Sequence, residues 1–304
     1  MKILVGGSVA IDNVKTPTAD ESNLLGGSAS YAALAASKLA GPVHLVGIVG
    51  HDFPNEHLEM LQGNGVDLSA LERSEQASFT WSGEYHENMN ERTTHSVAIN
   101  VLENWSVKIP PHLTDAAFVV LANMAPHNQL QMLEQCQASE RFVVADTMDL
   151  WIAVANPELH EVLQKIDLLV INESEAREFV GTNNLIIAGE RLLAKGPCYV
   201  VIKLGEFGAL LFGPDRSFFR CGAWPLRNLA DPTGAGDTFL GGLIGDLAAK
   251  QALKPTFAQL REAVVKGSIL ASYTCEDFST KSLESAKSDD LEARLLKFRE
   301  YSGW

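Results

Sequence analysis

The sequence predicts a doubly wound α/β fold with a mostly parallel central sheet, and three features carry that prediction. Short, continuously apolar runs rich in β-branched residues recur along the chain, as strands covered on both faces require. Segments with apolar residues near helical spacing separate them, the pattern of repeated βαβ units. Between residues 78 and 105 the rhythm changes to alternating polar and apolar positions, the period of a sheet with one solvated face.

The apolar runs predict strands over residues 3–5, 43–49, 118–121, 142–145, 168–171, 199–203 and 209–212. Helical spacing predicts helices over 28–39, 55–64, 128–137, 157–164, 173–179, 186–194, 236–249 and 257–273, and a polar amphipathic helix over 283–298. The alternating stretch, with a polar turn over 87–92, reads either as an ordinary edge hairpin or as a small sheet projecting over an active site. Residues 13–25 are similarly polar and are expected to add strands to it. No internal repeat or interdomain linker interrupts the chain, so residues 1–304 are expected to form one domain with a lid from about 13–25 and 78–105.

A chain of 304 residues that is 46% hydrophobic can bury a sizeable core. Its formal charge of −14 argues against a nucleic-acid or anionic-membrane surface, which would need clustered Lys and Arg. The four cysteines, at 136, 198, 221 and 275, form no C-x-x-C pair, which suits a reducing cytoplasm better than a disulfide framework. The N-terminus runs straight into a predicted strand and does not read as a signal peptide, and no apolar run is long enough to span a bilayer.

Asp231-Pro232-Thr233-Gly234-Ala235-Gly236-Asp237-Thr238-Phe239 carries the most chemistry. Gly234 and Gly236 lack Cβ atoms, so backbone amides there can approach a polyphosphate, and the helix that follows adds the positive end of its dipole. Asp237 at the helix start could accept a proton from an attacking hydroxyl. The run resembles the Asp-Thr-x-Gly-Ala-Gly-Asp signature of ribokinase-like (PfkB-type) sugar and nucleoside kinases, with Pro232 at a variable position. The resemblance implies a three-layer α/β/α ribokinase-like sandwich with a small β-sheet lid, Asp237 as general base, and the amides of Gly234, Ala235 and Gly236 as the transition-state anion hole.

Other motifs follow the same order as in that family. Asn172 with Glu175 has the spacing of a capping box, and the same pair offers hard oxygens suited to Mg²⁺ and its waters. The family's Asn-x-x-Glu motif stands in this position, so the resemblance assigns Asn172 and Glu175 to the metal and phosphate assembly. Lys203-Leu204-Gly205-Glu206-Phe207-Gly208 closes a strand; its glycines could simply turn a hairpin, while the family places Gly205 and Gly208 against the nucleotide and Lys203 within reach of a phosphate.

Gly7-Ser8-Val9-Ala10-Ile11-Asp12 and Gly26-Gly27 could be a strand exit and a close-packed helix start. By resemblance Asp12 binds acceptor hydroxyls, Gly26 and Gly27 admit the acceptor to the backbone, and Asp231 helps orient it. Tyr31 replaces the Asn that follows the Gly-Gly signature in many relatives, and a phenol cannot reproduce an amide's donor and acceptor pair. Tyr31 is therefore expected to face a nucleoside base or a cyclitol.

The resemblance implies ATP and Mg²⁺ as cofactors, Thr233 in the nucleotide site, a monovalent cation near Asp231 and Thr233, an adenine site along 257–278, and a homodimer through the lid. No P-loop, zinc-protease or nucleophile-elbow motif competes with this reading, and Gly234-Ala235-Gly236 lacks the third glycine of a dinucleotide fingerprint. The expected function is transfer of the ATP γ-phosphoryl group to a hydroxyl of a small sugar or polyol. A nucleoside or cyclitol acceptor is the alternative, and a nucleotide-binding regulator or a pseudokinase-like protein, each without turnover, is the rival outside enzymology.

Overall fold

The computed structural model describes residues 1–302. The chain begins with β1 (Ile3–Gly6), β2 (Ala10–Lys15), β3 (Asp20–Gly26), α1 (Ser28–Ser37), β4 (Val43–Val49), α2 (Asn55–Gly63), β5 (Val66–Asp67), β6 (Leu71–Arg73), β7 (Phe79–Tyr85) and β8 (Arg92–Ala98). It continues through β9 (Phe118–Leu121), α3 (Pro126–Gln135), β10 (Phe142–Ala145), α4 (Asp149–Val154), α5 (Asn156–Leu163), β11 (Leu168–Asn172), α6 (Glu173–Val180), α7 (Leu185–Leu193) and β12 (Tyr199–Lys203). The last elements are β13 (Ala209–Phe212), β14 (Phe218–Cys221), α8 (Ala235–Ala249), α9 (Phe257–Thr274), α10 (Lys281–Ser285) and α11 (Ser288–Ser302).

Residue alternation explains the layers. Ile3 and Val5 of β1 join one apolar cluster and Leu4 the other; in β9, Phe118 and Val120 join the first while Val119 and Leu121 join the second. Strands buried on both sides have no polar face, which is why they read as continuous apolar runs. The sheet runs β14-β13-β12-β11-β10-β9-β1-β4-β5, with β6 also paired to β4. All its pairings are parallel except those of β13 and β14 at one edge. Loops after β9, β10, β11 and β12 therefore open on the same edge, where open α/β sheets place their ligands.

One flanking layer is built on α8, which is buried on nearly every side as its apolar composition demands. A Cβ on Gly241 would lie 2.1 Å from the Ala32 carbonyl oxygen, so glycine lets α8 press onto α1. Near the other end of this layer Arg294 of α11 clamps α9, with its guanidinium 3.6 Å from the Tyr273 ring centroid and bonded at 3.0 Å to both Glu276 carboxylate oxygens.

A separate sheet, in the order β3-β2-β7-β8, forms the lid. β2 and β7 are parallel, with Asp12 opposite Trp81 and Val14 opposite Gly83. Side chains on one face of a strand pair alternate with those on the other, so Asp12, Val14, Trp81, Gly83 and Tyr85 share a face. That face meets the body, because Val14, Leu24 and Tyr85 cluster with Phe278. The opposite face carries the Lys15–Glu84 ion pair at 2.9 Å.

The lid's limits differ from those expected. Its first two strands span residues 10–26, so Asp12 rides on the lid and not on a loop of the body. Residues 99–105 leave it: Asn100 donates to the Ser78 carbonyl at 2.8 Å and closes the neck, and Trp105 buries its ring in the body while its Nε1 donates to Glu72 at 2.9 Å. A large apolar ring gains more from that core than from a two-sided lid strand.

Candidate active site

The turn before α8 is held open by backbone geometry. Gly234 is the helix N-cap with φ 76°, no side chain caps the first amides, and the first helical bond runs from Thr238 N to the Gly234 carbonyl at 2.8 Å. Asp231 is fully buried: one of its oxygens accepts from Thr233 N at 2.9 Å and the other from Ser279 N at 3.4 Å. Burial raises the Asp231 pKa even against those hydrogen bonds. Gly234, Ala235 and Gly236 thus sit on a fixed turn, and the Lys203 ammonium would lie 3.0 Å from any Cβ on Gly236. Ala235 N donates to the Pro232 carbonyl at 3.2 Å within the turn; a helix start without a side-chain cap, its dipole and an ammonium together suit a polyanion.

Adjacent strand ends supply the charges around this turn. Asp146 follows β10 and its Oδ2 accepts from Lys203 Nζ at 2.9 Å, a buried ion pair. Asn172 and Glu175 form the capping box of α6, with Glu175 N donating to Asn172 Oδ1 at 2.9 Å and Asn172 N to Glu175 Oε2 at 3.0 Å. Burial and the neighbouring Asp146 push Glu175 up to about 7. Burial opposes the Lys203 ammonium, but Asp146, Glu175 and Asp237 outweigh it and raise its pKa.

Asp237 lies in the first turn of α8 among these groups. Desolvation, followed by repulsion from Asp146, lifts it to about 7, while Lys203 and Arg92 of the lid pull the other way. A carboxylate poised near neutrality suits proton acceptance.

Asp12 enters from the lid side. It is 4% exposed, its Oδ1 has no hydrogen-bond partner, and burial followed by repulsion from Asp231 and Asp237 pushes its pKa up to about 8. A Cβ on Gly26 would sit 2.1 Å from the Asp12 carboxyl, and Gly27, at φ 90°, would meet the Ser8 carbonyl oxygen at 2.4 Å. These two glycines therefore make room for a carboxylate and a backbone crossing.

Tyr31, expected to face the acceptor, is instead 2% exposed. Its ring lies where a side chain on Gly234 would project, 2.4 Å from the ideal Cβ, and its hydroxyl bonds to Ser279. Tyr31 supports the anion-hole turn from beneath. Thr233 Oγ1 donates to the Tyr85 hydroxyl at 3.2 Å, tying the same turn to the lid.

The glycines after β12 divide between two tasks. Gly208 (φ 92°) would meet the Cys221 carbonyl oxygen at 2.0 Å and is required by the turn into β13. Gly205 (φ 56°) faces open space, its one near neighbour being Asn90 Oδ1 of the lid tip, 3.7 Å from an ideal Cβ. The lid tip therefore reaches the turn after β12.

Three site residues escaped the sequence reading. Asp146 carried a signal, an acid directly after the apolar run of β10 at the carboxyl edge of a parallel sheet. Tyr85 and Arg92 carried none, because their position depends on lid register.

The profile of the pfkB family carbohydrate kinases matches residues 7–287. A cytidine kinase from Thermococcus kodakarensis is 28% identical over 248 residues, covering 80% of this chain and 87% of its own. A nucleoside kinase from Methanothermobacter thermautotrophicus is 25% identical over 279 residues, covering 88% and 84%. The ribokinase structure from Giardia lamblia superposes with a TM-score of 0.81 at 21% identity over 98% of this chain and 99% of that one. That likeness covers sheet, flanking helices and lid alike, and the profile runs from the loop after β1 to beyond Ser279. The chain belongs to the pfkB family of carbohydrate kinases and is a phosphotransferase acting on a hydroxyl group.

Proposed function

We propose that the protein transfers the γ-phosphoryl group of ATP to a hydroxyl of a small sugar or nucleoside, with Asp237 taking the hydroxyl proton. The observation that carries this reading is that Asp237 stands in the first turn of α8, where no side chain caps the helix, and acts electrostatically on the buried Asp12, whose Oδ1 has no partner. Asp12 would orient the acceptor by accepting from its hydroxyls. Deprotonated Asp237 would accept the proton as the nucleophilic oxygen forms its bond to phosphorus. The amides of Gly234 to Gly236 and the Lys203 ammonium would hold the charge on the phosphoryl oxygens.

The residues present fit a Mg·ATP donor. Among the described residues no group of three or more His, Cys, Asp or Glu side chains could enclose a metal. Mg²⁺ would be held largely by phosphates and water, with Glu175, Asn172 and Asp146 supporting its hydration shell. The ion, when bound, offsets charge on the phosphates. Between sugar and nucleoside acceptors, the two relatives named cytidine kinase and nucleoside kinase favour the latter.

ADP release measured with a pentose, a hexose, a cyclitol and several ribonucleosides tests the reading. Asp237→Asn should keep ATP binding and lose about 10²- to 10⁴-fold in turnover on the best acceptor. Near wild-type turnover in that variant would remove Asp237 from the base role.

A further inference from the structure

We infer that Arg294, on the C-terminal helix α11, is a positioning residue for the phosphoryl donor: through Trp224 it fixes residues 222–230, the chain between β14 and the anion-hole turn, as one wall of the donor site. The inference rests on the donor reading above and adds to it a residue outside the anion hole.

The segment needs an external support. Residues 222–230 form neither helix nor strand. Their ends are tied to α9, with the Gly222 carbonyl accepting from Ser268 Oγ at 3.3 Å and Ala230 N donating to the Cys275 carbonyl at 2.9 Å. Between these ties, residues 223–229 make no hydrogen bond to any described residue, so side-chain packing has to hold them. Trp224 supplies it. The ring is half-buried against the core, 5.1 Å from the Arg294 guanidinium and 5.7 Å from the Tyr301 ring, centroid to centroid for the latter.

Arg294 is itself held rigidly. One of its terminal nitrogens donates to Ser272 Oγ at 2.8 Å and the other to both Glu276 oxygens at 3.0 Å, while the Tyr273 ring lies 3.6 Å away. A planar fork engaged by a hydroxyl and a carboxylate cannot turn to solvent without leaving both, so it offers Trp224 a fixed cationic face. All three partners stand at the end of α9. The same stretch fixes the chain further on, because Cys275 receives Ala230 and Ser279 N donates to Asp231 at 3.4 Å. Segment and anion-hole turn are thus aligned from one place, and Arg294 is the part that reaches the segment's middle.

Topology gives the segment its task. In-line transfer sets the rest of the donor across the phosphoryl group from the acceptor. Asp12 lies on β2, which leaves the body after β1, whereas Lys203 ends β12, with β9, β10 and β11 between those two body strands. The donor therefore extends on the β12 side. β13 is antiparallel to both β12 and β14, so β14 also ends at this edge, and residues 222–230 leave from it. They adjoin the turn after β12: an ideal Cβ on Gly208 would lie 2.5 Å from the Gly222 carbonyl carbon.

The test compares wild type, Arg294→Gln, Arg294→Lys, Trp224→Leu and the double variant Arg294→Gln with Trp224→Leu. Steady-state kinetics with the best acceptor give kcat and both KM values, and calorimetry without acceptor gives the affinity for Mg·ADP. Arg294→Gln should raise KM for ATP about 5- to 30-fold, the span of a desolvated cation–π contact, and weaken Mg·ADP by a similar factor. Acceptor KM and kcat should change less than about threefold. Lysine keeps the charge and loses the fork, so Arg294→Lys should fall between wild type and Arg294→Gln. Trp224→Leu should match Arg294→Gln, and the double variant should be no worse than the poorer single one, since both remove the same contact.

An unchanged KM for ATP in Arg294→Gln would overturn the inference. So would a proportional rise of both KM values, or single effects that multiply in the double variant. If Arg294→Gln does not fold, Arg294→Lys and Trp224→Leu decide by the same comparison. Mg·ADP binding that depends on Arg294 in a protein that phosphorylates no acceptor would keep the positioning role and refute transfer. Phosphoryl transfer with Mg·ADP affinity unaltered in Arg294→Gln would do the reverse.

Discussion

Replacing Asp12 by Asn should make the ligand-free protein more stable, and the gain should grow with pH. The Asp12 carboxyl is 4% exposed, one oxygen has no partner, and its pKa is raised from 3.8 to about 8. Below pH 3.8 the folded and unfolded chains both keep this proton and the full contribution to stability is present. As the pH rises toward 8 the unfolded chain gives up a proton that the folded chain retains, so stability falls by about 1.4 kcal/mol per pH unit. Once the pH passes 8 the folded group ionises as well and the decline ends. Asn has no such proton.

The gap between Asp12→Asn and wild type should therefore widen by about 3 kcal/mol from about pH 5.5 to about pH 8. For a chain of this length that corresponds to about 5 °C in Tm. Thermal unfolding of both proteins in matched buffers measures it. Above about pH 8, where Asp12 is ionised, the same variant should raise acceptor KM about 10- to 100-fold by removing a charge-assisted hydrogen bond. A Tm gap that stays constant with pH, or in which wild type gains as pH rises, would refute the claim that Asp12 is held in strained burial for its ligand.

Other consequences can be checked with the same assays. Gly234→Ala forces an L-residue to φ 76° and sets a Cβ 2.4 Å from the Tyr31 ring, so it should cost about 2–4 kcal/mol and most of the turnover. Gly63→Ala, whose Cβ meets nothing within 4 Å, is the control, and equal Tm losses in the two would refute the packing argument. Tyr85→Phe removes the hydroxyl that accepts from Thr233 at 3.2 Å, so it should raise acceptor KM about two- to tenfold and increase ATP hydrolysis without acceptor. No change in either would show that the bond does not secure closure. As the proposed base, Asp237 would have to be deprotonated and is lifted to about 7, so kcat/KM should fall as pH drops below about 7, and an unchanged value at about pH 5.5 would count against that role.

How much of this was legible in the sequence depends on the range of the constraint. Strands β1, β4, β9, β10, β11, β12 and β13 were readable because burial on both faces writes a continuous apolar run into the chain. Edge strand β14 was not, since Phe218 is 47% exposed and the segment lacks that run. The short helix α4 was also missed, having too few residues to establish a period. In the lid, the alternation of β7 and β8 was visible, while β2 hid inside a motif that reads as a strand exit. Which residues face the body follows from its parallel pairing with β7, a non-local fact.

The active-site residues divide in the same way. Gly234, Gly236 and Asp237 lie within one helix start, where a single local geometry demands all three, and Asn172 and Glu175 close a box over three residues. The packing of Tyr31 was not legible because its partner, Gly234, lies some 200 positions away. In helix α1 small residues flank the ring, Ser28-Ala29-Ser30 before it and Ala32-Ala33 after it, with Leu34 beyond. A large polar-tipped side chain among small neighbours looks like a specificity element reaching out. Its counterpart is the missing Cβ of Gly234, whose space the ring fills while Ser279 takes the hydroxyl. Large against absent is the complementarity that close packing requires, and neither half can be interpreted without the other. The same pairing recurs in the lid, where Trp81 lies in the space left by Gly83. There the partners are two residues apart on one strand, so the complementarity that distance hides at Tyr31 is local, and the Arg92 guanidinium stands over the same ring at 5.9 Å from its centroid.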